Sequence, residues 1–162
     1  MDDKNTVWFT KYGNYSSESY ISKIDYYKYK LCLKLDNNNT IDIILSRFDL
    51  NFLRKIISTT SNNIGSKDYD YTHNSLVLKN ICIENYNKKS ILLKNPKNLI
   101  IKFIAFPEED SKGNITGRTI FKTEFFYRIK IFGKIKFIKP TEIKLNKDQV
   151  IEFNTRINSI LL

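Results

Sequence analysis

The sequence predicts an α+β protein whose antiparallel sheets come from two related β-β-β(-β)-α halves, each closed by a helix. Runs of alternating polar and apolar residues predict the strands, and two capped segments with apolar residues at helical spacing predict the helices. Adding 100 to the residue numbers overlays the strands and helix of residues 27–57 on those of residues 127–157. The 162 residues are therefore predicted to form a single domain, 1–162, built of two pseudo-repeats at about 6–60 and 75–162.

The first half is predicted to contain strands separated by polar connections and followed by a helix. These strands are predicted at 6–12, 20–35 and 40–45. Ser46, with Asp49 three residues later, resembles a capping box and is followed by apolar residues at helical spacing. The helix is predicted over 47–59.

The second half is predicted to repeat this order with more strands. They are predicted at 75–86, 90–94, 99–106, 118–137 and 141–145. Lys139 and Pro140 are expected to interrupt the sheet before its last strand. Asn146 and Gln149 form a second capping box, and it opens a helix with the apolar stripe Val150, Phe153, Ile157, Ile160 and Leu161.

Two alternating stretches carry the candidate binding residues. In 26–35 one strand face presents Lys28, Lys30 and Lys34, and the other face is apolar. In 125–138, read as one strand, the corresponding face presents Arg128, Lys130, Phe132, Lys134 and Lys136. Asp and Glu are nearly absent from these faces, and rows of like charge are unfavourable unless an anion compensates them.

This combination predicts a surface for single-stranded nucleic acid. The Lys and Arg rows would follow the phosphates, and aromatic rings would stack on bases. Candidate rings are Trp8, Tyr12, Tyr26, Phe126 and Phe132. For Trp8 and Phe126, packing in the core is an equally good interpretation.

Charge supports a polyanionic partner and composition disfavours catalysis. The 27 Lys and Arg against 17 Asp and Glu give a formal charge of +10, which favours nucleic acid first and an anionic membrane surface second. No phosphate-binding loop, nucleophile elbow or paired cysteine motif is present, so we expect no catalytic residue, no metal and no cofactor. Without a leader or a long apolar run, a cytoplasmic protein outside the membrane is predicted.

A resemblance to a known family points the same way. Two units of strands closed by a helix, the strand Lys28-Tyr29-Lys30-Leu31-Cys32-Leu33 and the ending 141–162 resemble the Whirly family and the related PUR repeats and guide-RNA-binding proteins. In Whirly proteins a Lys-Gly-Lys-Ala-Ala-Leu strand lies in the DNA-binding region, so the resemblance implies a binding role for Lys28 and Lys30. It also implies single-stranded DNA or RNA as partner, with little sequence preference.

Two rival interpretations come from other classes. A protein-interaction module, such as a phage, plasmid or host-interference factor, would bind a partner through exposed strands. A weaker alternative is a metal-dependent nuclease using Asp68, Asp70 and His73, although a lone loop histidine is usually solvated surface. A homo-oligomer is an open possibility under any of these interpretations.

Overall fold

A computed structural model describes residues 4–9, 19–35, 40–66, 74–79, 83–84, 99–129 and 133–162; for 83–84, 127–129 and 133–139 it describes the backbone. In chain order the elements are β1 (Thr6–Trp8), β2 (Tyr20–Lys23), β3 (Lys28–Lys34), β4 (Thr40–Ser46), α1 (Arg47–Asn62), β5 (Ser75–Lys79), β6 (Ile83–Glu84), β7 (Leu99–Glu109), β8 (Ile115–Ile129), β9 (Gly133–Leu145) and α2 (Lys147–Leu161).

The strands form two antiparallel sheets. The first sheet has the order β1-β2-β3-β4-β6, and the second has the order β5-β7-β8-β9. The β1–β4 run is followed by α1, and the second sheet is followed by α2, which confirms the predicted α+β class with two similar halves. The short strand β6 pairs with β4 of the first sheet although it lies in the second half of the chain.

Both helices begin at the predicted caps. The Ser46 hydroxyl accepts a hydrogen bond from the Asp49 backbone N–H at 3.0 Å. Asn146 and Gln149 exchange two hydrogen bonds of 2.8 Å, each side chain accepting from the other residue's backbone N–H. These bonds satisfy donors that the first helical turn leaves without partners, so both helix starts agree with the sequence prediction. The first helix continues to Asn62, three residues beyond the predicted end.

The two halves share one hydrophobic core. Helix α1 packs on β7 and β8 of the second sheet, and α2 packs on β1 of the first sheet as well as on β8 and β9. Phe9 lies 5.5 Å from Phe121 and 4.8 Å from Phe153, ring centroid to centroid, so an aromatic stack joins both sheets and α2. Because each helix contacts the sheet of the other half, neither half buries its apolar surface alone.

One contact between the two helices joins residues that are equivalent under the offset of 100. The Arg54 guanidinium donates to the Asn154 side-chain oxygen at 2.8 Å, and these two positions are equivalent under the offset of 100. Contact between equivalent residues is expected beside a twofold axis. The same offset overlays β4 and α1 on the end of β9 and α2, but residues 28–34 form one strand whereas 128–134 include the end of β8 and the start of β9.

Two predicted long strands are hairpins instead. Residues 20–35 contain β2 and β3, which pair antiparallel. The Asp25 carboxylate accepts hydrogen bonds from the backbone N–H groups of Tyr27 at 2.8 Å and Lys28 at 2.9 Å, and this Asx turn reverses the chain.

The prediction for 118–137 and 141–145 is wrong in a similar way. The reversal falls between β8 and β9, and β9 then runs without interruption through Pro140 to Leu145. Pro140 is tolerated because β9 pairs with β8 alone among the described strands, and an edge strand needs no second row of N–H donors. The predicted strand 75–86 is divided between β5 in the second sheet and β6 in the first, and the predicted strand 90–94 lies outside the described residues.

Candidate nucleic-acid interface

The strand β3 separates a basic side from an apolar side as its alternation predicts. Tyr29, Leu31 and Leu33 are fully buried in the shared core. Lys28 is exposed, and Lys30 and Lys34 are half-buried on the opposite side. The three lysines therefore project from the outward face of the first sheet.

An aromatic pair lies on the same outward face. Trp8 in β1 is 36% exposed, and its ring centroid lies 4.8 Å from that of Tyr20 in β2. The Lys30 ammonium is 5.8 Å from the Tyr20 ring centroid, within reach of a weak cation–π contact. Trp8 is thus not a core residue, which leaves its ring accessible to a ligand. We call the surface formed by Trp8, Tyr20, Lys28, Lys30 and Lys34 the lysine face.

The strand register places no acidic residue directly opposite a lysine of this face within the described strands. The cross-strand partners are Ser46 for Lys28, Ser22 and Ile44 for Lys30, and Thr40 for Lys34. Opposite charges at such positions are a common way to stabilise an antiparallel sheet. The lysines are therefore not arranged for cross-strand neutralisation.

Two acidic residues lie on this face of the first sheet by strand register, Asp42 in β4 and Glu84 opposite it in β6, contrary to the expected near absence of acids. Asp42 pairs with Cys32 across β3 and β4 and is only 3% exposed. Burial, together with a hydrogen bond to Asp42, raises the pKa of the Cys32 thiol to about 11. The thiol stays protonated near neutral pH, so Cys32 is a structural residue rather than a nucleophile.

The second predicted basic stretch lies in the other sheet. Backbone register pairs Arg128 with Lys134 and Phe126 with Lys136 in the β8–β9 hairpin. Lys130 and Phe132 lie outside the described residues. Because the chain reverses here, the prediction that 125–138 forms one strand is wrong, although the register still places Arg128, Lys134 and Lys136 on one face of the hairpin. Strand pairing does not join the two basic stretches, since β3 belongs to the first sheet and β8–β9 to the second.

Part of the outward face of the second sheet carries paired opposite charges. Its register sets Lys102 opposite Glu124 and Lys122 opposite Glu142. The buried Glu108 carboxylate bonds Arg118 at 2.6 Å and Lys144 at 3.0 Å. We call the surface formed by Lys102, Glu108, Arg118, Lys122, Glu124, Glu142 and Lys144 the paired-charge face.

The environment of Glu108 keeps it ionised. Hydrogen bonds from Lys144, and then from Thr116 and Arg118, outweigh the effect of burial and lower its pKa to about 2. This carboxylate therefore holds three strand residues together at any pH near neutrality.

A cluster of side chains, of which Tyr26 alone is predicted as a candidate ring, lies just before β3. The Arg47 guanidinium stacks over the Tyr26 ring at 4.3 Å, and the Tyr26 and Tyr27 rings meet edge to face at 5.0 Å. Tyr27 is 71% exposed and Phe48, the next residue after Arg47, is 76% exposed. Local sequence patterns do not predict this cluster, because the turn at Asp25 and the start of α1 bring together residues that are distant in the chain.

No candidate metal site is found in the described part of the chain. No group of three or more His, Cys, Asp or Glu side chains is placed there to hold a metal ion. Asp68, Asp70 and His73 lie outside the described residues. Neither α1 nor α2 is long and apolar enough to cross a membrane.

Comparison with known proteins gives no family for this chain. No model of a known protein family matches it, and no curated protein matches it.

Proposed function

We propose that the protein binds single-stranded DNA or RNA on the lysine face and catalyses no reaction. The observation that carries this proposal is the outward projection of Lys28, Lys30 and Lys34 from one strand beside the Trp8–Tyr20 ring pair. Cations along a strand can follow a phosphate backbone, and adjacent rings can stack on bases of any sequence. The resemblance of Lys28 and Lys30 to the lysines of a Whirly strand supports the same partner.

Charge and sheet geometry give further support. The formal charge of +10 favours association with a polyanion, and the partly exposed Trp8 ring can stack on the unpaired bases of a single strand. Arg128, Lys134 and Lys136 would form a second contact region on the other sheet. We also propose that the protein is cytoplasmic. A homo-oligomer is compatible with this function.

Docking of a protein partner on a sheet edge is the second candidate. The strand β9 is 13 residues long and pairs on one side alone within the described residues, which favours edge pairing. However, Pro140 lacks the backbone N–H that an added strand would need. Lysines on an edge strand also discourage strand addition, and β9 contains Lys134, Lys136, Lys139 and Lys144. We therefore rank edge docking below nucleic-acid binding.

A salt titration with a labelled single-stranded oligonucleotide tests the proposal. Three phosphate contacts predict a slope of log affinity against log salt of about −2, or roughly twentyfold weaker binding on going from about 50 to 200 mM salt. Trp8 is the single tryptophan of the chain, so stacking of a base on its ring should quench the intrinsic fluorescence in the same titration.

A duplex of the same sequence serves as the competitor and control. It should displace the single strand poorly, because its bases are not free to stack. Failure of the single strand to bind at low salt, or affinity that does not depend on salt, would rule out the lysine face as a nucleic-acid interface.

A further inference from the structure

A groove of about 850 Å³ lies where the first turn of α1 meets the last turn of α2. Its walls include the exposed rings of Tyr27 and Phe48 and the side chain of Leu162, with Asn158 among the polar residues that line it. The volume lies in the range of sites that hold small organic ligands. The groove is open to solvent, and most of its lining surface is apolar.

Phe48 has no aromatic counterpart at the pseudo-equivalent position of α2. Phe48 is 76% exposed at the second position of α1, where the pseudo-equivalent residue in α2 is Asp148. A helix needs no ring at that position, and an exposed phenyl group gains nothing from the core. Together with Tyr27, Phe48 offers a face on which a planar group can stack.

Positive charge converges on the rim of the same groove. Arg47 is the first residue of α1, where the helix macrodipole favours an anion rather than a cation. Its guanidinium is fixed over Tyr26 at 4.3 Å and donates to the Tyr29 hydroxyl at 3.0 Å. Within the described residues it forms no salt bridge, so its guanidinium is an oriented cation at the groove.

The groove is continuous with the lysine face. Ser46 lines the groove and is the cross-strand partner of Lys28, the first residue of β3. Directly opposite residues in an antiparallel pair lie about 5 Å apart, comparable to the spacing of adjacent phosphates along a strand. A strand that follows the lysines towards Lys28 therefore reaches the rim of the groove.

We propose that the groove binds one nucleotide of the single strand whose neighbouring nucleotides lie on the lysine face. Its phosphate is held by Arg47, and its base stacks on Tyr27 and Phe48. The exposed Asn158 amide has no hydrogen-bond partner within the described residues and can bond an edge of the base. This inference depends on the proposed function, because it assigns a subsite to the same strand.

Two variants with matched controls test it. Phe48→Ala removes the stacking ring, and Arg47→Gln removes the cation. The control Ile151→Ala removes another exposed apolar side chain. The control Lys147→Gln removes the cation at the first position of α2, which is pseudo-equivalent to Arg47. Dissociation constants for a labelled single strand are measured by fluorescence anisotropy. We expect Phe48→Ala and Arg47→Gln each to weaken binding about fivefold or more, and the controls to stay within twofold of the unmodified protein. Unchanged melting temperatures show that all four variants fold.

An oligonucleotide made of abasic residues separates the two contacts. With it, Phe48→Ala should have no effect because no base remains to stack, whereas Arg47→Gln should still weaken binding. A free mononucleotide should not displace the strand, and light scattering should give the same mass for the protein and for Phe48→Ala.

Several outcomes would overturn the inference, and they differ from failure of the proposed function. If Phe48→Ala and Arg47→Gln bind normally while lysine-face variants bind weakly, the function stands and the groove is not part of it. Displacement by a mononucleotide would make it a free-nucleotide site, and loss of a dimer in Phe48→Ala would make it a contact between copies. If the unmodified protein binds no single strand, the proposed function itself fails.

Discussion

The lysine face and the paired-charge face differ in how their charged residues are arranged, although both sheets are antiparallel. On the paired-charge face, lysines stand opposite glutamates, and Glu108 bonds cations from two further positions. On the lysine face, the residues directly opposite the lysines are Ser22, Thr40, Ile44 and Ser46. The charges of the paired-charge face therefore contribute to folding, whereas Lys28 and Lys30 have no acidic residue directly opposite them within the described strands.

The comparison has a common basis in the shared core. Because α1 packs on the second sheet and α2 contacts the first, a change in the core should affect both sheets equally. Differences between the two outward faces can then be measured without differences in foldedness.

The largest expected effect comes from Phe121→Ala, which tests that shared core. Phe121 is 1% exposed and stacks on Phe9 and Phe103, so its loss should lower the free energy of unfolding by about 3–5 kcal/mol. Denaturant unfolding followed by Trp8 fluorescence and by circular dichroism should give coincident transitions before and after the change. Separate transitions would mean that the sheets unfold independently. Phe106→Ala, on the outward side of β7, is the control and should cost less.

A smaller effect is expected from Glu108→Gln, which tests the paired-charge face. Removing this carboxylate should lower the free energy of unfolding by about 1–2 kcal/mol at pH 7. The loss is limited because the cationic partners are half exposed and become hydrated when the carboxylate is absent. Because the folded state lowers the pKa of Glu108 from its ordinary value to about 2, the unfolded chain takes up the proton first as pH falls. The stabilisation is therefore complete above about pH 4.5 and is lost as the pH falls towards 2.

Thermal melts at a series of pH values measure this dependence. The difference between the unmodified protein and Glu108→Gln should be constant above the ordinary glutamate range and disappear in strong acid. Glu152→Gln is the matched control, since Glu152 and Arg156 form an exposed pair on α2 worth a few tenths of a kcal/mol. A pH-independent difference would show that packing, not charge, explains the role of Glu108.

The elements that local chemistry specifies could be predicted from the sequence. The caps at Ser46 and Asn146 identify both helix starts, because the side chains that satisfy the first turn stand at fixed spacing from the apolar stripe. The two sides of β3 follow from its alternation, so Lys28, Lys30 and Lys34 were identified correctly as outward residues.

The hairpins were missed because alternation continues through both turns. Residues 24–27 contain neither Gly nor Pro, and the signal there is the single Asp25 that accepts two backbone N–H groups. Pro140 suggested a break, but its position on an edge strand makes the missing N–H harmless. The groove could not be predicted, since residues near 27, 48 and 158 meet only when α1 and α2 pack side by side.

The comparison of the two faces is tested most directly by two triple variants in one binding assay. Lys28→Gln, Lys30→Gln and Lys34→Gln remove the lysines of one face, and Lys102→Gln, Lys122→Gln and Lys144→Gln remove three from the other. With a labelled single strand, the first triple should weaken binding at least tenfold and reduce the salt slope by about 2. The second should bind within twofold of the unmodified protein and melt at a lower temperature. Equal loss of binding in both would mean that net charge rather than the lysine face binds the strand, and normal binding by the first would contradict the account.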